Sequence, residues 1–408
     1  MNASAPRRAA LVVVIVLIAL NLRPFLAAPG PVLPLIASDT GLGYGGLSLL
    51  TLLPMLLMGL GAVAAPGFQA SLGTRRSLLI ALTLLLLGSL LRLAAVNGTV
   101  LLLTAVLCGS GAAFAQAVMP GLIKEKFPAQ VAVMTGLYSA MIMTGGALGA
   151  QLMPYLTGGG LTWRASLAWL SLPVFLAAAA TTLILAETRS ARPRREAVIR
   201  LLQLPRTWLL MGVFGLINGG YASLIAWLAP YYQELGWTSA GSGTLVSVMA
   251  LSQGCGAVVL PLLARNSPDR RPWLWITIVL QAVGYSGLAF APLAFSALWV
   301  ALCGAGLAGS FALCLVVALD HLPDSAQAGS LAALMQGGGF LMAAIPPFVL
   351  AEIHRATGSF TLGWTMHLFW VAAAAVLAVR FNPVRYPEVM GHEPAAASSD
   401  PRHRAGSV

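Results

Sequence analysis

Charged residues are scarce in this sequence. Of its 408 residues, 9% are Asp, Glu, Lys or Arg, whereas ordinary globular domains contain about 25% charged residues. Hydrophobic residues make up 58%. A chain with so few polar side chains cannot cover the surface of a soluble domain, so a water-soluble protein is excluded and lipid remains as the solvent.

Reactive side chains are also few. The sequence has 12 acidic residues, five His and four Cys, and it lacks an H-E-x-x-H pair, the Cys/His spacing of a zinc site and a Walker loop. Cys108, Cys255, Cys303 and Cys314 lie within apolar stretches, where cysteine acts as a small buried hydrophobic residue. The sequence therefore predicts neither an enzyme nor a bound metal or cofactor.

Long apolar runs dominate what remains. A helix needs about 20 apolar residues to cross a bilayer, and it pairs its backbone polar groups internally. Runs such as residues 82–87 lack the alternation of β-barrel strands. The predicted spans one to twelve are residues 9–37, 45–70, 77–94, 99–123, 130–156, 163–186, 207–232, 242–264, 273–291, 294–318, 328–352 and 363–381.

The net charge of +11 comes mostly from Lys and Arg between these spans. With the N-terminus placed inside, 19 of the 23 basic residues fall on the cytoplasmic side, and Arg92, Arg164 and Arg355 fall at outer loops. Cytoplasmic loops are normally rich in Lys and Arg. The asymmetry therefore predicts cytoplasmic N- and C-termini, and it explains the basic charge without nucleic-acid binding.

The two halves of the chain match at an offset of 195 residues. The matches are Arg75-Arg76 with Arg270-Arg271, Cys108-Gly109-x-Gly111 with Cys303-Gly304-x-Gly306, and Pro128 with Pro323. Since both halves begin on the cytoplasmic side, we predict an all-α membrane protein of two parallel, pseudo-symmetric six-helix bundles. The predicted division is bundle 1–186, cytoplasmic linker 187–206, bundle 207–386 and a disordered cytoplasmic tail 387–408.

The loops after spans two and eight carry related motifs. Leu72-Gly73-Thr74-Arg75-Arg76 is similar to the G-x-x-x-D-R-R-G loop of the major facilitator superfamily but lacks its acidic residue, which Pro268-Asp269-Arg270-Arg271 keeps. The gating-loop residues that this resemblance implies are Arg75, Arg76, Asp269, Arg270 and Arg271.

Span one carries a narrower motif. Asn21-Leu22-Arg23-Pro24, followed by Pro29-Gly30-Pro31 and Leu33-Pro34, resembles the N-L-R-P…G-P-L-L-P signature of the cyanate permease and 2-nitroimidazole transporter (CynX/NimT) branch of that superfamily. The resemblance implies the major facilitator fold of twelve helices. It also implies movement of a small, flat, often anionic solute across the bacterial inner membrane by alternating access.

Arg23 lies about midway along span one, where a charge costs several kcal/mol. The predicted spans contain no central Asp or Glu to pair with it. An unpaired Arg at this depth suggests that the missing anion is the substrate, for which the guanidinium offers a planar fork of donors. In the alternative interpretation, Arg23 braces carbonyl groups freed by the kink at Pro24.

Further polar residues sit at mid-depth in spans that can reach a central cavity. The candidate substrate contacts are Arg23, Asn21, Asn218, Tyr138, Gln116, Tyr221, Gln253 and Gln336. Helix–helix hydrogen bonding or packing is the alternative role for the Asn and Tyr residues. Gln281 and His367 are predicted to pack, and the Gly145-Gly146-x2-Gly149 and Gly337–Gly339 runs predict close helix approach.

Two functions are consistent with these observations. The first is secondary transport of a small planar or linear anion, such as cyanate, with Arg23 at the centre. The alternative is efflux of neutral planar compounds, nitroimidazole or drug-like, with Arg23 in a structural role. The predicted partners are a small-molecule substrate and membrane lipid, with a monomeric chain. The coupling remains open among exchange, facilitated flux and substrate protonation, because no carboxylate lies mid-membrane.

Overall fold

The computed structural model describes residues 5–42, 44–188 and 195–391, and these residues form helices joined by short turns. The helices before the linker are α1 Ala5–Leu20, α2 Pro24–Ala27, α3 Leu33–Thr40, α4 Tyr44–Leu72, α5 Thr74–Leu91, α6 Gly98–Lys126, α7 Val131–Gly158, α8 Trp163–Ala168 and α9 Ser171–Ile184. Those that follow are α10 Arg195–Gln203, α11 Pro205–Glu234, α12 Ser239–Ala264, α13 Arg271–Phe290, α14 Ser296–Asp320, α15 Ser325–Ala343, α16 Ile345–Thr357, α17 Thr361–Ala378 and α18 Tyr386–Val389.

Eleven helical segments of the described chain are long and apolar enough to cross a membrane, and a shorter apolar stretch, Leu52–Gly61, lies within α4. The predicted count of twelve spans includes α4 as span two. Span one corresponds to α1–α3, span six to α8–α9 and span eleven to α15–α16. α10 lies in the predicted linker.

Helix boundaries follow local side-chain chemistry. The N-caps Asn97, Thr162, Thr238 and Asp324 accept hydrogen bonds from backbone N–H groups of the first helical turn, which have no partner within the helix. α3 ends at Gly41, whose φ of 68° suits a residue without a side chain.

Span one is broken into pieces. α1 ends at Leu20, and a turn over Asn21–Arg23 precedes α2. Because Pro24 lacks an N–H, it cannot donate to the carbonyl of Leu20, and regular helix cannot continue through this point. A 3₁₀ turn at Gly30–Val32 then leads into α3. The break places Arg23 at a helix junction rather than on a helix face.

Helices from the two predicted halves pack directly on each other. α7 contacts α12, and α15 contacts both α4 and α6. Glycines allow these approaches: a Cβ at Gly136 would lie 2.9 Å from the Ala257 carbonyl oxygen, and one at Gly59 would lie 2.6 Å from the Leu341 side chain. These pairs surround the region in which Arg23 lies.

The C-terminal segment is ordered as far as residue 391. Tyr386–Val389 is helical and Met390 is buried, although the sequence predicts a disordered tail from residue 387. Residues 392–408 of that predicted tail lie outside the described residues.

Candidate substrate-binding site

Arg23 is buried at the junction of α1 and α2, where its residue is 1% exposed. Its Nε and Nη1 atoms are both buried, and neither has a hydrogen-bond partner among the described residues. A guanidinium binds a bidentate anion through a pair of neighbouring nitrogens, and each such pair includes either Nε or Nη1. Buried ionic groups are normally paired, so the arrangement leaves a positive charge available to an anion.

Aromatic rings from the second half of the chain approach this charge. The Arg23 guanidinium carbon lies 5.2 Å from the ring centroid of Tyr221 on α11 and 5.7 Å from that of Phe340 on α15. Both distances fall within cation–π range. The buried Tyr138 hydroxyl on α7 is within electrostatic range of Arg23 and has no hydrogen-bond partner in the described chain. Phe340 was not among the residues predicted from the sequence.

Glycines on α7 let the broken part of span one approach closely. A Cβ at Gly145 would lie 2.0 Å from the Leu20 carbonyl oxygen, and one at Gly149 would lie 2.8 Å from the Cα of Pro24. A Cβ at Gly146 would lie 3.2 Å from the Cβ of Arg23. The close approach predicted for this glycine run is confirmed, and it is what brings Arg23 to its position.

A different arginine donates to a carbonyl of the broken span. The two unpartnered nitrogens of Arg23 brace no carbonyl of the described chain. Instead, Arg92 Nη2 donates to the carbonyl of Phe25 in α2 at 3.0 Å. The sequence placed Arg92 at an outer loop, but it is 1% exposed. It follows directly on α5 and reaches inward to α2.

Three glutamine residues predicted as candidate contacts also have buried polar atoms without partners among the described residues. Both polar atoms of the Gln116 side chain are buried and unpartnered among the residues described, as are Nε2 of Gln253 and Oε1 of Gln336. Gln336 Nε2 donates across the halves to the Gln116 carbonyl at 3.4 Å, a long hydrogen bond. These amides are therefore available to a ligand, and they remain candidate contacts.

The side-chain amides of the two predicted asparagines already donate to backbone carbonyls. Asn21 Nδ2 donates to the carbonyls of Leu17, at 2.7 Å, and Pro173, at 3.0 Å. The second of these bonds joins span one to α9, which is the helix–helix role given as the alternative. Asn218 Nδ2 donates at 2.8 Å to the Phe214 carbonyl of its own helix. We therefore do not include either asparagine among the residues proposed to contact the ligand.

Gln281 and His367 pack as predicted. Gln281 donates to the hydroxyl of Ser310 at 2.9 Å, which joins α13 to α14. The His367 ring stacks on Tyr285 with centroids 5.0 Å apart. Both lie in helices that do not carry Arg23, Tyr221 or Phe340.

The residues of the predicted gating loops form contacts within their own halves. The Arg75 backbone N–H and the Arg76 guanidinium both bind Glu187 after α9, so a distant residue supplies the acid that the motif after α4 lacks. In the second half, Arg271 pairs with Asp269 at 2.6 Å, and Arg270 pairs with Asp320 at 3.0 Å.

Lys124 crosses between the halves at the predicted cytoplasmic end. At the end of α6, its Nζ donates to the carbonyls of Leu319 and Leu322 at the end of α14. Nearby, a Cβ at Gly329 on α15 would lie 2.8 Å from the Cα of Gly121 on α6. These contacts close this end of the molecule.

A cleft of about 660 Å³ opens beside Lys124, and its lining includes Arg270, Asp320, His321 and Tyr386. The His321 ring stacks on Tyr386 with centroids 3.7 Å apart. Burial lowers the pKa of His321 to about 3, so this side chain is uncharged at neutral pH. Arg270 and Asp320 of its lining already pair with each other.

Comparison with known proteins identifies the family. Residues 10–347 match the Major Facilitator Superfamily. The chain is 40% identical to the cyanate transport protein CynX of Escherichia coli over 93% of its length and 99% of that protein. It is 30% identical to the E. coli 2-nitroimidazole transporter, with 93% and 96% covered.

Solved structures agree in fold. The proton:xylose symporter XylE superposes with a TM-score of 0.79 at 13% identity, over 93% of this chain and 96% of that one. The predicted major facilitator fold is thereby confirmed, and the relatives are transporters rather than enzymes. The count of twelve spans and the orientation of the termini stay predictions. The protein is a multi-pass secondary transporter of the bacterial inner membrane, and it belongs to the major facilitator superfamily, in the branch of the cyanate and 2-nitroimidazole transporters.

Proposed function

We propose that this transporter moves a small linear or planar anion of the cyanate type, and that Arg23 is its binding group. The observation that carries the proposal is the buried Arg23 guanidinium, whose Nε and Nη1 have no partner in the described chain. A monovalent anion would satisfy both the charge and the donors.

The surroundings favour a thin anion. Tyr221 and Phe340 bring ring faces to the guanidinium carbon, and the unpartnered amides of Gln116 and Gln253 supply neutral polar contacts. All of these residues except Tyr221 are buried. A linear or flat solute can lie against the face of an aromatic ring. The 40% identity to a cyanate transport protein adds to this argument.

The second candidate is a neutral planar compound. The 30% identity to a 2-nitroimidazole transporter favours it, and the rings of Tyr221 and Phe340 offer stacking surfaces. The two candidates differ in charge. An anion would neutralise this positive group and a neutral compound would not, and we therefore place cyanate-like anions first.

Variants at Arg23 test the proposal. We expect Arg23→Gln to weaken cyanate binding by about 30-fold or more, since losing one member of a buried charge pair costs about 2 to 5 kcal/mol. Arg23→Lys should lose most of the affinity too, because an ammonium lacks the planar fork. Dissociation constants and melting temperatures are measured on the same detergent-purified samples, with Arg355→Gln, at an exposed side chain, as control.

The outcome separates the candidates. Unchanged cyanate affinity with a lowered melting temperature in Arg23→Gln would make Arg23 structural. If reconstituted wild-type protein takes up 2-nitroimidazole but not cyanate, the neutral candidate replaces the first. Uptake with and without a pH gradient, in the same proteoliposomes, reports the coupling.

Transport follows alternating access in this proposal. Two bundles, residues 1–186 and 207–386, rock about the site, joined by the linker 187–206, with both termini cytoplasmic and the chain monomeric. The support is the placement of the site between α2 and α7 of the first bundle and α11 and α15 of the second. Cysteine accessibility tests the orientation: position 196 should react from the cytoplasm and position 160 from outside.

A further inference from the structure

We propose that Arg92 is a positioning residue for substrate binding, which holds the segment carrying Arg23 in place. The inference rests on the proposed function of Arg23 but adds a residue that the span-one motif does not contain. The proposal is based on the 3.0 Å hydrogen bond from Arg92 Nη2 to the carbonyl of Phe25, which lies two residues after Arg23.

The Phe25 carbonyl needs an external donor. In a helix it would accept from the N–H four residues later, but that residue is Pro29, which has none. Phe25 is buried, and a buried carbonyl without a partner is unfavourable. Arg92 supplies the missing donor from another helix, so α2 depends on it for a backbone hydrogen bond.

The segment has few backbone hydrogen bonds of its own. α2 contains four residues, and its internal bonds run from the N–H groups of Leu26 and Ala27 to the Arg23 carbonyl, and from Ala28 to the Pro24 carbonyl. A helix this short is not stable by itself. The Arg92 bond joins this short helix to the C-terminal end of α5.

Arg92 is itself fixed by hydrogen bonds of the turn that follows it, at the predicted outer end of α5. The Ala95 N–H donates to the Arg92 carbonyl at 3.2 Å, and Arg164 Nε donates to the Ala95 carbonyl at 2.9 Å. Arg164 also pairs with Asp39 of α3 at 2.8 Å. The outer part of span one is therefore joined to the rest of the protein at Phe25 and at Asp39, and of these two contacts the one at Phe25 lies nearer to Arg23 along the chain.

The first test follows α2 without any substrate. In Arg92→Met, backbone hydrogen exchange in residues 24–28 should rise at least tenfold, while exchange in α7 stays as in the wild type. Arg92→Lys should give an intermediate rate, because an ammonium can donate to the Phe25 carbonyl. Arg355→Gln is the matched control. Wild-type exchange in Arg92→Met would overturn the proposal, and Arg92→Lys carries the test if Arg92→Met does not fold.

The second test measures cyanate transport in proteoliposomes. Arg92→Met should raise KM about tenfold with Vmax within about twofold, and Arg92→Lys should recover part of the affinity. Faster exchange with an unchanged KM would overturn the link to binding. If the wild type does not bind cyanate at all, the proposed function fails, and the exchange experiment still decides whether Arg92 fixes α2.

Discussion

Arg23 shows how a charge can be kept within a membrane protein without a carboxylate. Its guanidinium carbon lies over two aromatic rings, 5.2 Å and 5.7 Å from their centroids. The ring quadrupoles offer partial compensation, which in desolvated sites reaches about 2 kcal/mol per contact. They stabilise the cation while leaving its N–H donors for a ligand.

Removing a ring should therefore affect both protein and ligand. We predict that Phe340→Leu lowers the melting temperature and weakens cyanate binding by about 5- to 30-fold, which corresponds to about 1 to 2 kcal/mol. The same substitution at Phe348 on α16, a 67% exposed residue, is the control. Titration calorimetry and thermal melts on both variants check this, and equal binding by the two would contradict the role of Phe340.

The sequence predicts the role of Arg23 but not those of Phe340 and Arg92. Arg23 was predictable because a charge within an apolar run has few structural roles. Phe340 was not, because an aromatic residue in an apolar helix gives the same pattern whether it packs or lines a site. Arg92 was predicted at an outer loop because it lies at the edge of an apolar run. Its contact with the Phe25 carbonyl depends on the tertiary arrangement of the helices, which spacing along the chain does not contain.

At the scale of the helix, span one depends on its proline residues and on the glycines of α7. The motif prolines interrupt backbone hydrogen bonding at the carbonyls of Leu20 and Phe25. One of these carbonyls packs against Gly145, and the other accepts from Arg92. Sequence patterns predicted the interruptions and the close approach. They did not predict which partner each carbonyl would find.

The substitution Gly145→Ala tests the packing of α7 against span one. A methyl group there would lie 2.0 Å from the Leu20 carbonyl oxygen, so α1 and the Arg23 junction must move away from α7. We expect loss of cyanate binding and a destabilised protein, since overpacking costs about 1 to 3 kcal/mol. Gly158→Ala in the same helix, where the space around the Cβ is open, should behave as the wild type. The two variants are compared by binding and melting temperature.

Should Gly145→Ala bind cyanate with wild-type affinity, the geometry around Leu20 would not determine the site. The comparison with Gly158→Ala removes the general effect of replacing glycine in a helix, because alanine is the better helix former. A stability gain at Gly158 together with a loss at Gly145 would assign the difference to the contact with span one.

In the molecule as a whole, Lys124 joins the two halves at the predicted cytoplasmic end. It donates to the carbonyl of Leu319 near the C-terminus of α14 and to that of Leu322 just after this helix, both in the other half of the chain. Unpaired carbonyls at a helix C-terminus carry partial negative charge, which favours a cation. The partner residue Leu319 is the one that the 195-residue offset matches with Lys124, so corresponding helix ends meet at this contact.

We predict that Lys124→Met opens this end. Spin labels placed at the cytoplasmic ends of α6 and α14 should show a longer distance population than in the wild type. Lys126→Met is the matched control, because Lys126 pairs with the neighbouring Glu125 instead of crossing between halves. An unchanged distance distribution in Lys124→Met would show that the closed end does not depend on this contact.

The unpaired charge of Arg23 also has an electrical consequence. With a monovalent anion bound, the site is neutral, so the membrane voltage does little work on the loaded carrier as it reorients. The empty carrier instead moves a positive charge, and a full crossing is worth about 2.3 kcal/mol per 100 mV. An inside-negative voltage therefore favours the inward-facing empty carrier and slows its return. Uptake of the anion should then be limited by the return of the empty carrier to the outward-facing state. Uptake should be fastest when a second anion inside binds the carrier and is transported outward in exchange.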